Sequence, residues 1–173
     1  MPRTDPGPDV RSARRTPRVL VAAAVLLLGG RVALGIVAYA GNQGSVRDRV
    51  PWRSPEAGPL LGTVSRKPVL YDFTAAWCGP CRSLEREVFA DSSVAAEIDR
   101  LFVPVRVVDR TVEVGRNPPI VAELQKRFGV KAFPTLVVTD PTGGDPQVYV
   151  GYAGKELTMT RLREAAAALR PEP

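Results

Sequence analysis

The chain has 173 residues, two cysteines, no histidine and a formal net charge of +6. Without histidine there is no imidazole acid–base catalysis, no haem attachment through C-x-x-C-H and no zinc site with a histidine ligand. The charge does not point to nucleic acid, because residues 1–40 hold six Arg against two Asp and the remaining 18 basic and 16 acidic residues nearly cancel.

Residues 1–18, rich in Pro, Asp and Arg and without an apolar period, read as a disordered basic tail. Arg11, Arg14, Arg15 and Arg18 flank Val19–Ala40, a largely apolar stretch of the length that crosses a bilayer as one helix. Arg31, inside it, costs roughly 2.5–3.5 kcal/mol on insertion scales, which snorkelling or a partner helix offsets. The positive-inside rule keeps the tail cytoplasmic and exports the chain beyond Ala40, giving a single-pass protein of the cytoplasmic membrane with its domain outside the cytoplasm. The alternative is a cleavable signal peptide, with Ala38-Tyr39-Ala40 as an A-x-A site and a secreted or periplasmic product.

Residues 41–66, mixed in charge and rich in Gly, Pro and Ser, read as a linker with a short helix or strand near its end, and with Trp52 and Leu60-Leu61 available to pack on the domain at 67–173. That domain opens with a strand at Pro68–Thr74, followed by a helix from Cys78 to about Phe89 and a short helix within Ser92–Asp99. The continuous β-branched run Leu101–Val108 predicts a strand covered on both faces. Thr111–Pro119 is expected as a loop, and a helix over Pro119–Phe128 stops at Gly129. Strands Thr135–Thr139 and Gln147–Val150 flank the turn residues 140–144, and a last helix is expected over about Thr158–Leu169. The order βαβαββα predicts an α/β fold with a central mixed sheet and helices on both sides.

The chemistry sits where the first strand meets the first helix, at Asp72-Phe73-Thr74-Ala75-Ala76-Trp77-Cys78-Gly79-Pro80-Cys81. With Cys78 at the first turn of a helix and Cys81 one turn on, both sulfurs share a face, close enough to bridge reversibly. The helix N-terminus favours a thiolate, which makes Cys78 the nucleophile and the more exposed thiol, and Cys81 the shielded, resolving one. Pro80 fits the first helical turn, and Gly79 lets a partner backbone approach. A metal cluster needs four ligands and no other Cys or His exists, so one chain cannot complete it. An inert structural disulfide, or a cluster shared between two chains, is the remaining rival reading.

W-C-G-P-C after a strand ending D-F-x-A-x-W resembles the active-site signature of the thioredoxin family, and Phe133-Pro134-Thr135 resembles its second mark, a cis-proline facing the disulfide. Glu85, Val88-Phe89 and Phe128-Gly129-Val130 add a likeness to the C-terminal domain of the bacterial membrane thiol reductase DsbD. The resemblance implies a thioredoxin fold, a redox disulfide between Cys78 and Cys81, and Asp72 as a buried carboxyl that handles the proton of Cys81. It also implies a client surface of Trp77, Phe133, Pro134 and Thr135 beside Gly79 and Pro80, with Gly151 near the site. It further implies no metal, flavin or nucleotide cofactor, disulfide or dithiol clients, and an electron donor in the membrane of the DsbD or CcdA kind. The function expected is reduction of client disulfides outside the cytoplasm. The other class is a membrane-tethered binding or assembly factor with little turnover, and within catalysis the alternative is an oxidase or isomerase. Arg106 is the one basic residue on the second strand, where the family has a Lys partner for the buried Asp.

Overall fold

The computed structural model describes residues 48–169; the tail, the apolar segment 19–40 and the first part of the linker lie outside the described residues. The apolar run at 69–75 is strand β1 (Val69–Ala75), whose side chains other than Thr74 are all buried. Such a strand must be central. It pairs in parallel with β2 (Val103–Asp109), Val69 beside Val103 and Ala75 beside Asp109, and antiparallel with β3 (Thr135–Thr139), Phe73 beside Thr135. β4 (Gln147–Val150) closes the order β2-β1-β3-β4 by antiparallel pairing with β3.

Alternation along β1 divides the core. Leu70 faces a layer containing Leu84, Val88, Phe89, Ile98 and Leu162, while Val69, Tyr71 and Phe73 face one containing Val121, Leu124 and Phe128. The first layer is supplied by α2 (Gly79–Leu84), α3 (Ser92–Leu101) and α6 (Lys155–Ala168), and the second by α5 (Pro119–Arg127). Asp72 shares the face of Leu70 by the period of two. This is the thioredoxin fold, with a four-stranded mixed sheet between helices.

Four expectations are corrected. The helix after the cysteines is α-helical only to Leu84 and continues as a π-helical turn, Glu85–Phe89, in which the Ala90 N–H donates to the Glu85 carbonyl. Widening the turn lets the adjacent Val88 and Phe89 both reach the core. Thr111–Val114 is a short helix, α4, rather than loop. It is anchored by the Asp109 carboxylate, which accepts from the Thr111 N–H and from the Gln125 side chain. α6 begins at Lys155, a turn earlier than the apolar period suggests, because its first turn carries Lys155, Glu156 and a half-exposed Leu157.

The fourth correction concerns the linker, whose residues from Asp48 onward are packed on the domain. Arg53 pairs in parallel with Val105, giving its N–H to the Pro104 carbonyl and accepting from the Arg106 N–H. The open edge of β2 is thereby covered. Helix α1 (Gly58–Ser65) follows, with Gly58 against Val105 and Val69. Trp52, by contrast, lies edge-on to Phe89 in the other layer, so the chain crosses the β2 edge at Arg53.

Candidate active site

β1 delivers the cysteines to the end of the sheet, where the chain turns into α2. Cys78 is the N-cap residue of that helix, in extended conformation, and its N–H donates to the Ala75 carbonyl. Pro80 occupies the first turn, where a missing N–H leaves no gap in the helix ladder. Cys78 and Cys81 are joined by a disulfide with their Cα atoms 5.3 Å apart, and the Cys81 N–H points at the Cys78 sulfur at 3.1 Å. A negative charge developing on that sulfur meets an N–H already aimed at it. The expected contrast in exposure is absent from this disulfide form. Cys78 is 2% and Cys81 6% exposed, and the two cysteines pack in one cluster with Ala75 and Phe133.

The wall around the disulfide comes from two loops. Trp77 is half-exposed, its ring edge-on to Phe133 at 5.9 Å, and Gly79 and Pro80 are exposed beside it. The Phe133–Pro134 peptide is cis, and the Pro134 carbonyl accepts from the Gly151 N–H at 2.8 Å. Gly151 has φ +82°, which favours glycine, and a Cβ there would meet no atom within 4 Å, so it both ends β4 and borders the site. Among the described residues the Phe133 N–H has no hydrogen-bond acceptor. Thr135 is wholly buried and its hydroxyl donates to the Ala132 carbonyl, so its side chain holds the turn instead of facing a client.

Beneath the helix, Asp72 is buried at 2% exposure. Its Oδ2 receives Nε and Nη2 of Arg106, each at 3.1 Å, while Oδ1 has no partner among the described residues. Parallel pairing sets Asp72 directly beside Arg106, so the arginine stands where the resemblance led one to expect a lysine. Burial pushes the carboxyl up to about 6, against the pull of Arg106, and the nearby Asp48 and Glu85 push the same way as burial. A carboxyl so poised accepts a proton near neutral pH and has a bare oxygen to accept it with.

The residues that the sequence reading missed are those on the far side of Arg106. Asp48 is ion-paired with Nη1 of Arg106, and Glu85 approaches the same nitrogen at 3.5 Å. The guanidinium lies over the Trp52 ring, 4.3 Å from its centroid. Trp52 was legible as a packing residue. Nothing in the sequence ties Asp48 to the site, because the contact depends on where the chain crosses the sheet edge.

A family model described as "Thioredoxin-like domain" matches residues 63–166. The chain is 38% identical over 101 residues to the thioredoxin of Alicyclobacillus acidocaldarius subsp. acidocaldarius, covering 57% of this chain and 81% of that protein. It is 30% identical over 112 residues to the thiol:disulfide interchange protein DsbD of Ralstonia nicotianae, covering 64% of this chain but 17% of that larger protein. Among solved structures, a DsbH oxidoreductase superposes with a TM-score of 0.56 at 19% identity, over 68% of this chain and 85% of the other. This last likeness is one of fold.

Proposed function

Because the chain belongs to the thioredoxin-like family, we propose that it works outside the cytoplasm as a reductase of client disulfides, tethered to the membrane by residues 19–40 or released from it by cleavage near Ala40. As a member of that family it is a thiol–disulfide oxidoreductase, and its redox centre is the Cys78–Cys81 pair. One observation carries the reading. The disulfide closes at a helix N-terminus, above a strand face on which a buried carboxyl keeps one bare oxygen.

In the reduced protein the Cys78 thiolate attacks one sulfur of a client disulfide; that bond breaks, and the departing client sulfur takes a proton from water. Cys78 is now joined to the client sulfur it attacked. Cys81 passes its proton to Asp72 and attacks the Cys78 sulfur, the bond from Cys78 to the client sulfur breaks, and that sulfur leaves as a thiolate that takes up the proton, returned from Asp72 through water. The Cys78–Cys81 bond re-forms and two electrons have passed to the client. Trp77 and Phe133 give the client an apolar wall, and the Phe133 N–H, without an acceptor among the described residues, suits an extended client segment laid alongside. Turnover needs a donor that re-reduces the pair, and the similarity to DsbD supports a membrane dithiol donor of the DsbD or CcdA kind. A tether would raise the effective concentration of such a donor.

Reduction of insulin by dithiothreitol tests the chemistry: the full chain accelerates it and Cys78→Ser abolishes the acceleration. A catalytically silent wild type would leave a binding role. An alkaline phosphatase fused after residue 173 tests the compartment, since it is active only if the domain is exported.

A further inference from the structure

The contacts of Arg106 extend beyond the segment that matches the thioredoxin-like family, which begins at residue 63. Residues 48–53 form an arm laid along the edge of β2 and pinned at several points. Arg53 bridges to β2, the Arg49 N–H donates to the Phe89 carbonyl at 2.9 Å, and Val50 is buried in the core. At its start the Asp48 carboxylate accepts the Val50 N–H at 3.0 Å and the Trp52 indole N–H at 2.6 Å, and pairs with Nη1 of Arg106. The Trp52 ring, edge-on to Phe89, carries the guanidinium on its face. Both the carboxylate and the cation are therefore locked in place by one indole.

One guanidinium thus serves three carboxyls: Asp72 from β1, Asp48 from the arm and Glu85 from the π-helical turn. The third strand brings Leu136 opposite Asp72, and among the described residues the charged groups acting on Asp72 are Arg106, Asp48 and Glu85, joined by the two thiols of the site once the disulfide is reduced. Partition of the Arg106 charge decides what Asp72 can do. Undivided, the charge would keep Asp72 ionised but a weak base. Without it, burial would keep the carboxyl protonated and unable to accept. A proton acceptor needs the state between these limits.

We propose that Asp48, held by Trp52, is a positioning residue of the active site: it takes part of the Arg106 charge from Asp72 and thereby sets how readily Asp72 accepts the proton of Cys81. The arm is then part of the redox centre although the family match starts ten residues after it ends. The inference rests on Asp72 acting as the proton acceptor, and the experiment separates the two.

The full chain, reduced and held in detergent, is mixed with a peptide disulfide labelled on one half. Fall of fluorescence anisotropy as that half leaves Cys78 reports the Cys81 step at each pH, and carboxyl-carbon NMR reports the Asp72 titration directly. Asp48→Asn is expected to move the acid limb of the rate profile and the Asp72 titration together to lower pH, by about half a unit or more. Asp48→Glu is expected to restore both. Asp48→Ser, which keeps an acceptor for the Val50 and Trp52 N–H groups, repeats the test in a second background. If the Asp48 variants unfold at lower urea while the limb and the titration stay in place, Asp48 is structural and the inference is overturned. If Asp72→Asn itself leaves the limb unmoved, Asp72 is not the acceptor and the inference falls with that assignment.

Discussion

A carboxyl buried beside a guanidinium is neutral or charged according to which of two opposing effects is larger, and at Asp72 burial outweighs the pairing. The consequence for stability has a definite sign. Raised from 3.8 to about 6, the folded-state carboxyl holds its proton where the unfolded one has lost it, so folding is favoured below about pH 4 and that advantage is lost as pH rises through 6. The difference is on the order of 3 kcal/mol. Asp72→Asn removes the ionisation, so the variant should gain stability relative to the parent on going from pH 4 to pH 7, by about that amount, in urea unfolding of the oxidised protein. A constant difference across this range would mean that Asp72 is not buried as an acid. The same variant should release clients slowly near neutral pH. Asp72 was legible because a carboxylate interrupts an apolar strand just before the cysteines. Arg106 was legible as the one basic residue on the second strand, but its division between Asp72, Asp48 and Glu85 was not, because the parallel register and the path of the chain over the sheet edge bring these groups together.

At the scale of the element, propensity and packing disagree most sharply in α1. Gly62 sits in its interior, where alanine ordinarily stabilises a helix by about 1 kcal/mol. A Cβ here would stand 2.6 Å from a Val69 methyl and 2.8 Å from the Pro141 carbonyl oxygen, and the backbone oxygen cannot swing aside. Gly62→Ala is therefore expected to destabilise, by about 1–3 kcal/mol, with a lower midpoint in urea and an unchanged slope. A stabilised variant would show that α1 has room for a methyl group against β1. Such contacts explain what the sequence hides. Strands β1, β3 and β4 were readable from their apolar runs and the turn between the last two, where the Asp140 carboxylate accepts N–H groups of Thr142 and Gly144. The arm was read as linker, and α1 only as a short helix or strand near the linker's end, because Gly, Pro and mixed charge dominate their composition. They are held by interlocking with β1 and β2, a property of shape that no local period reports.

For the molecule as a whole the open quantity is the direction of electron flow, which depends on how strongly the dithiol form is stabilised relative to the disulfide. Gly79-Pro80 is the pair that thioredoxin carries between its cysteines, and thioredoxin's potential is about −270 mV, against about −120 mV for the oxidant DsbA. At roughly 1.4 kcal/mol per 30 mV that interval is near 7 kcal/mol, far more than an exposed surface charge contributes. In the proposed reductase, two features around the pair would serve release of the client in the reduced state. The Cys81 N–H, 3.1 Å from the Cys78 sulfur, would stabilise a thiolate there, and the Asp72 oxygen that has no partner among the described residues would take the proton of Cys81 if Asp72 is the acceptor. On the proposed reading the domain arrives reduced, gives up two electrons and waits for a donor. The full chain equilibrated with glutathione buffers should therefore show a potential nearer to thioredoxin's than to DsbA's, read from the fraction of Cys78 and Cys81 open to alkylation. A value more positive than about −180 mV, the range of protein disulfide isomerase, would reverse the reading and make the domain an oxidase or isomerase on the same scaffold.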